Sequence, residues 1–142
     1  MSLLLLFNQP PYYRLLLDTA RQLLQQNHRE IVLVTAQMAC ENYTEQIFVA
    51  VYHKKGIAYL EQPIDDLVPS YNLANEKVRS LYVALTGDRI HDQPFWPKYK
   101  ELVTLRNRVM HSGARVSKDQ AEEACKVADQ LVTHLTAIIQ AV

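Results

Sequence analysis

The chain has 142 residues, which is enough for one domain with a single sizeable core. Apolar residues make up 49% and charged residues 21%, the composition of a folded globular protein. With only 3 glycines, glycine-rich phosphate loops are effectively excluded, and 15 basic against 15 acidic residues give no overall preference for a polyanion. We therefore expect a single domain over residues 1–142.

The first predicted helix begins after Pro10 and Pro11, because proline suits the first turn of a helix. The preceding Leu-Leu-Leu-Leu-Phe run is too short for the core of a signal peptide and lacks a basic lead, so we expect no targeting role for it. Apolar residues then recur at helical spacing up to a break at Asn27 and His28. The predicted buried stripe comprises Tyr13, Leu16, Leu17, Ala20, Leu23 and Leu24.

The second predicted helix, over about residues 30–54, is apolar on two opposite faces. One face carries Val32, Ala36, Ala39, Cys40, Tyr43, Ile47, Ala50 and Val51. The other carries Val34, Met38, Phe48, Val49 and Tyr52. Such a helix lies either at the centre of a bundle or at an oligomer contact. Glu41 and Glu45 project into the second apolar face, where a carboxylate requires a cationic partner.

Residues 55–71 contain one glycine and two prolines and predict a loop with room for one short turn of helix. A third helix is predicted over about residues 73–85. It stops at Gly87, because glycine readily adopts the left-handed conformation that ends a helix. Residues 88–94 are predicted to be a linker.

A fourth helix is predicted over about residues 95–110, with Gly113 placed as its C-terminal cap. A fifth begins at Ser117, which stands three residues before Gln120 in the spacing of a capping box. No strand-like alternation persists anywhere in the chain. We therefore predict an all-α bundle of four to five helices.

The two cysteines, Cys40 and Cys125, show no metal-ligand spacing and lie in helical patterns. They are predicted to be small core residues rather than a disulfide, which fits a reducing, cytoplasmic setting. No metal-ligand cluster or cofactor motif is visible, so we expect no metal and no cofactor. No apolar run approaches the roughly 20 residues of a membrane helix, so no membrane partner is expected.

Polar groups concentrate in the stretch Leu-Arg-Asn-Arg-Val-Met-His-Ser-Gly, residues 105–113, within an otherwise helical pattern. On a helical wheel Arg106 falls in the middle of the apolar stripe of the fourth helix. Burying an unpaired guanidinium costs roughly several kcal/mol, so Arg106 must find an acceptor or a hydrated pocket. Two interpretations are open. Either Arg106 pairs with Glu41 or Glu45 as part of the core, or it binds an anionic ligand.

The other polar residues of this stretch lie on different flanks of the predicted helix. Asn107 and His111 are close to one another on one flank, and Arg108 is on the polar side. Arg106 and His111 are about 140° apart, so they cannot act together on one regular helical face. They can converge if the helix unwinds near Met110, or they can line one cleft at a symmetric dimer.

These residue types suit chemistry on a phosphodiester. Arginine offers a rigid fork of donors to a phosphate and stabilises charge that develops on it. Histidine takes or gives a proton near neutral pH, whereas as a structural residue it is simply stabilised by the C-terminal end of the helix. Basic residues also outnumber acidic ones by six to one over residues 98–118. The six are Lys98, Lys100, Arg106, Arg108, Arg115 and Lys118.

Residues 106–111 resemble the Arg-x4-His motif of the HEPN superfamily, a group of small all-α domains. An asparagine directly after the arginine, as at Asn107, is common in that family. Trp96 and an apolar Glu-Leu-Val-Thr-Leu run precede the motif, and an amphipathic helix follows it. The long earlier helix carries Glu41 where the family often has an acidic or polar residue.

The resemblance implies an HEPN-like fold and a metal-independent endoribonuclease that acts as a homodimer, in a toxin–antitoxin or phage-defence system. Arg106 would clamp the scissile phosphate, His111 would be the acid/base or a phosphate contact, and Asn107 would orient the site. Glu41 would fix the arginine. We also assign Arg108 and Glu45, together with Glu41, as binding residues. RNA or a nucleotide is the implied ligand.

The resemblance also implies an antitoxin or nucleotidyltransferase as a partner. One toxin subgroup has a tyrosine two residues after the histidine, to which its antitoxin transfers a nucleotide. Gly113 stands at that position here, so this particular regulation is not expected.

Two further alternatives stay open. Some HEPN domains are non-catalytic nucleotide-binding or dimerisation modules, and in that case Met38 and Phe48 are predicted to form the dimer contact. A DNA-binding regulator is a weaker alternative, because no recognition-helix pattern is visible. The remaining histidines, predicted to lie at the surface or at helix ends, are His28, His53, His91 and His134.

Overall fold

The computed structural model describes residues 11–142, and the leucine-rich run near the N-terminus lies outside them. The described part of the chain is all-α, as predicted, and contains six α-helices with two short 3-10 turns. The helices are α1 (Tyr12–Gln25), α2 (Arg29–Lys54), α3 (Glu61–Leu67), α4 (Glu76–Thr86), α5 (Trp96–Ser112) and α6 (Lys118–Ala141). The 3-10 turns are Ala58–Leu60 and Ile90–Asp92. The count exceeds the predicted four to five because α3 forms within the segment predicted as a loop.

Local signals in the sequence explain where several helices begin and end. Ser117 and Gln120 form the predicted capping box at the start of α6. Gly113 and Gly87 end α5 and α4 in the left-handed conformation, with φ of 66° and 73°. The start of α4 is set by Asn75, whose side chain accepts two backbone N–H bonds, so this helix begins three residues later than predicted.

Helix α2 lies at the centre of the bundle and packs against α1, α4, α5 and α6. Val32, Ala36 and Ala39 are completely buried on one face. On the opposite face, Phe48 and Tyr52 are buried as well, because the segment after α2 folds back over them. The two-sided apolar pattern is therefore explained, for the C-terminal half of α2, by a central position in the bundle.

The burial of Phe48 corrects one expectation. Its side chain is 1% exposed, and its ring packs against the rings of Tyr71 and Tyr82. Phe48 is a core residue and cannot form a dimer contact on the surface. Met38, ten residues earlier on α2, is 42% exposed and is available at the surface of the described structure.

His134 was predicted to be at the surface or a helix end, and this is also wrong. It lies in the middle of α6 and is mostly buried, with Nε2 2.7 Å from Oδ2 of Asp88. The same Asp88 oxygen accepts a hydrogen bond of 2.6 Å from the hydroxyl of Tyr82. Burial, together with this bond to Asp88, raises the pKa of Tyr82. The cluster ties the segment after α4 to α6.

Both cysteines are buried free thiols, as predicted. Burial raises the pKa of the Cys40 thiol to about 12, so this residue is inert at neutral pH. None of the helices in the described residues is long and apolar enough to cross a membrane.

The contrast between Phe48 and Met38 gives a test of the architecture. We expect Phe48→Ala to lower the free energy of unfolding by about 3–5 kcal/mol, because it leaves a cavity under two tyrosine rings. Met38→Ala, at an exposed site, should change it by less than about 0.5 kcal/mol. Urea denaturation followed by circular dichroism measures both values. Similar effects from the two substitutions would contradict the placement of Phe48 in the core.

Candidate functional site

Arg106 reaches from α5 to the central helix α2 and forms an ion pair there. Its Nη1 lies 2.7 Å from Oε1 of Glu41, and the two side chains are only 14% and 26% exposed. Of the two acceptors considered from the sequence, Glu41 is the partner. A charge-assisted hydrogen bond at this depth fixes the guanidinium in one position.

The ion pair leaves much of the guanidinium's donor capacity unused. Nη2 has a long contact of 3.4 Å with Oδ1 of Asn107, and the buried Nε has no acceptor among the described residues. Arginine has five N–H donors, so Arg106 is anchored by one strong bond and keeps spare donors at Nη2, next to the exposed Asn107, whereas its buried Nε is out of reach of a ligand.

His111 lies in the last turn of α5, with its side chain exposed to solvent. No side chain of the described residues bonds to its ring. The helix stays α-helical through Ser112, so it does not unwind near Met110, and that route to convergence is excluded. Arg106 and His111 consequently face different flanks of one regular helix, about 140° apart.

Glu41 also borders a surface groove between α1, α2 and the segment after α3. This α1–α2 groove has a volume of about 290 Å³ and includes Glu45. Its lining residues are Tyr12, Leu16, Met38, Glu41, Asn42, Glu45, Ser70 and Tyr71. Glu45 has no ion-pair partner among the described residues. Partial burial, then the nearby charges of Asp65 and Glu61, raise its pKa.

The charged residues that line the α1–α2 groove are acidic. Glu45 and Glu41 both line it, and Asp65 lies close enough to raise the pKa of Glu45. Glu45 is not paired with Arg106, so Glu41 is the partner of the two that were considered, and the assignment of Glu45 as a binding residue stays a prediction.

Arg108 points to a second and larger groove, between α5 and the first turns of α6. The α5–α6 groove has a volume of about 760 Å³. It is lined by Pro97, Lys98, Lys100, Glu101, Leu102, Thr104, Leu105, Arg108, Asp119, Gln120 and Glu123. The structure thus divides the predicted site: Arg106, Asn107 and Glu41 form one cluster, Arg108 lines a separate groove, and His111 lies beyond both on α5.

Two residues of the α5–α6 groove were missed from the sequence. Asp119 and Glu123 stand four residues apart and share one face of α6, where like charges repel. That unfavourable spacing was a signal.

No group of three or more potential metal ligands comes together within residues 11–142. Comparison of the chain with protein-family models, with curated proteins and with solved structures gave no match. The resemblance to HEPN domains therefore depends on the motif residues and their surroundings alone.

A double-mutant cycle tests the ion pair. We expect Arg106→Ala and Glu41→Ala to be coupled by about 1–3 kcal/mol in unfolding free energy, because each substitution strands the other charge. Arg108→Ala serves as the control, since Arg108 does not contact Glu41, and its coupling should stay within about 0.5 kcal/mol. Equal coupling in both cycles would rule out the pairing of Arg106 with Glu41.

The raised pKa of Glu45 gives a test against pH. A carboxyl whose pKa is higher in the folded than in the unfolded state favours folding when protonated, so its ionisation destabilises the protein as pH rises above about 4.5. We expect Glu45→Gln to raise the melting temperature at pH 7, with the gain vanishing below pH 4.5. The control is Glu122→Gln, at an exposed position, which should give no such gain. A melting temperature unchanged by Glu45→Gln at pH 7 refutes the explanation.

Proposed function

We propose that this chain is a metal-independent endoribonuclease of the HEPN type, which cleaves RNA through its 2′-hydroxyl at a cleft between two copies. The observation that carries the proposal is the state of Arg106. It is anchored by Glu41 at the edge of the core, it retains unused donors beside Asn107, and it precedes the exposed His111 on the same helix.

The chemistry follows from these groups. The 2′-oxygen attacks the adjacent phosphorus while its proton passes to a base, and the bond from phosphorus to the 5′-oxygen breaks as that oxygen receives a proton from an acid. The products are a 2′,3′-cyclic phosphate and a free 5′-hydroxyl. The unused donors of Arg106 would stabilise the charge on the non-bridging oxygens. His111 would supply the base in one copy and the acid in the other.

A homodimer is part of the proposal because one chain cannot bring the two groups together. Arg106 and His111 lie on different flanks of a regular α5, so one chain presents them in different directions. A two-fold axis near the end of α5 would place the His111 of one copy opposite the Arg106 of the other. Met110, which is 63% exposed beside His111, offers apolar surface for such a contact.

A role in a toxin–antitoxin or phage-defence system is the corresponding cellular proposal. Cleavage of cytoplasmic RNA is harmful unless it is controlled, which motivates an antitoxin or a nucleotidyltransferase as the partner. Gly113 lacks the hydroxyl that one toxin subgroup offers for nucleotide transfer, so we propose control by a binding partner that occludes the cleft.

A non-catalytic nucleotide-binding or dimerisation module is the second candidate, and the ion pair favours it. At 2.7 Å, Glu41 already satisfies the main electrostatic requirement of Arg106, which is what a purely structural arginine needs. In that case His111 is a solvent-exposed residue at a helix end, stabilised by the helix dipole. The two candidates differ in what His111 does.

Cleavage of a labelled RNA in the presence of EDTA separates them. We expect the wild-type protein to produce fragments ending in 2′,3′-cyclic phosphate, and His111→Ala to reduce the rate by about 10²–10⁴-fold, the usual contribution of a general acid or base. Arg106→Ala should abolish cleavage. Equal rates for wild type and His111→Ala would refute the nuclease assignment.

Two controls protect this experiment. His53→Ala removes an exposed histidine at the end of α2, far along the chain from the motif, and should leave the rate unchanged. Arg106→Lys keeps the positive charge but removes the planar fork, so a large loss of rate with normal helical content would separate phosphate binding from folding.

A further inference from the structure

The α5–α6 groove has walls of opposite charge. Lys100 and Arg108 project from α5 on one side, and Asp119 and Glu123 from α6 on the other. The α5 wall also carries Lys98 and Glu101, which pair with each other at 3.4 Å, whereas Lys100, Arg108, Asp119 and Glu123 have no ion-pair partner among the described residues. The space of about 760 Å³ keeps the two walls apart.

The basic wall forms a row that leads to His111. Lys100, Arg108 and His111 lie within about 80° of one another around α5, and all three are exposed. Lys100 and Arg108 are about 12 Å apart along the helix axis, long enough to follow consecutive phosphates of an extended strand. The row continues from the groove to the residue on which the proposed cleavage depends.

The acidic wall and the floor determine which anionic ligand fits. A bare polyanion would be repelled by Asp119 and by the half-buried Glu123. A single-stranded nucleic acid presents phosphates along one edge and bases along the other, so it can satisfy both walls. The apolar floor of Leu102 and Leu105 suits the faces of unstacked bases.

We propose that the α5–α6 groove binds single-stranded RNA next to the cleavage site and selects bases that carry an exocyclic amino group. Lys100 and Arg108 hold the phosphates, while the carboxylates of Asp119 and Glu123 accept hydrogen bonds from such amino groups. Cytosine, adenine and guanine offer this donor. Uracil offers a single N–H flanked by two carbonyl oxygens, which repel a carboxylate. The proposal rests on the proposed function only in taking RNA as the ligand.

Binding of non-cleavable RNA tests the proposal without relying on catalysis. Fluorescence anisotropy of the wild-type protein with 2′-O-methyl oligo-C and oligo-U compares two pyrimidine strands. We expect oligo-C to bind about 5- to 100-fold more tightly, the discrimination given by one well-placed base contact. Asp119→Asn combined with Glu123→Gln should bring this ratio close to one, because an amide also donates hydrogen bonds to the oxygens of uracil.

Matched variants separate base selection from simple electrostatics. Glu122→Gln removes one negative charge from the neighbouring face of α6, outside the groove, and should leave the oligo-C to oligo-U ratio unchanged. Lys100→Ala and Arg108→Ala should weaken binding of both strands equally, each reducing the slope of log affinity against log salt by about one.

Several results would overturn the inference. One is wild-type protein that binds neither strand or does not distinguish them. A second is an Asp119→Asn/Glu123→Gln variant whose affinity for both strands rises by the same factor, so that the oligo-C to oligo-U ratio is unchanged, because the carboxylates would then only repel phosphates. A third is a Lys100→Ala or Arg108→Ala variant that sediments as a monomer where the wild-type protein is a dimer, yet binds RNA unchanged. The groove would then be a protein contact. Selective binding without cleavage would support the groove assignment and refute the proposed nuclease function. Cleavage without base selectivity would support the nuclease function and refute the groove assignment.

Discussion

The contact between Arg106 and Glu41 is the interaction on which the candidate site depends. It joins α5 to the central helix α2 at the edge of the core, where an unpaired charge of either sign would be costly. Glu41 accepts a hydrogen bond from a single nitrogen of the guanidinium, at 2.7 Å, so it fixes the group while other N–H donors stay unpaired. A side chain held in this way has little rotational freedom left to lose when a ligand binds, which is the preorganisation that a phosphate clamp requires.

The same ion pair limits how the site can work. A phosphate that reaches Arg106 would compete with the carboxylate of Glu41, and within residues 11–142 the neighbouring Glu45 has no cation paired with it. The accessible cations lie instead along the exposed side of α5, around Arg108. This distribution suits two separate roles. Residues on the exposed side would provide most of the affinity for an RNA strand, and Arg106 would contact that strand at one phosphate.

Features that depend on neighbours in sequence were predictable, and those that depend on distant partners were not. The capping box at Ser117 and the helix end at Gly113 are local, and both are observed. Phe48 was misplaced because its burial needs partners distant in sequence, Tyr71 from a segment without helical periodicity and Tyr82 from α4. His134 was misplaced because Asp88 lies 46 residues earlier in the chain. For Arg106, the sequence indicated an acceptor on α2, but Glu41 and Glu45 are one turn apart, and only the packing of α5 decides between them.

The short connection between α5 and α6 has a further consequence. Only five residues, 113–117, separate the two helices, and both of its ends are fixed, by the left-handed Gly113 and by the cap at Ser117. A connection of this kind has few conformations. The distance between the two helices is therefore set by the fold and not by a ligand that binds between them. The groove would then be preorganised, and a base that fits poorly would bind more weakly because the two helices cannot move to accommodate it.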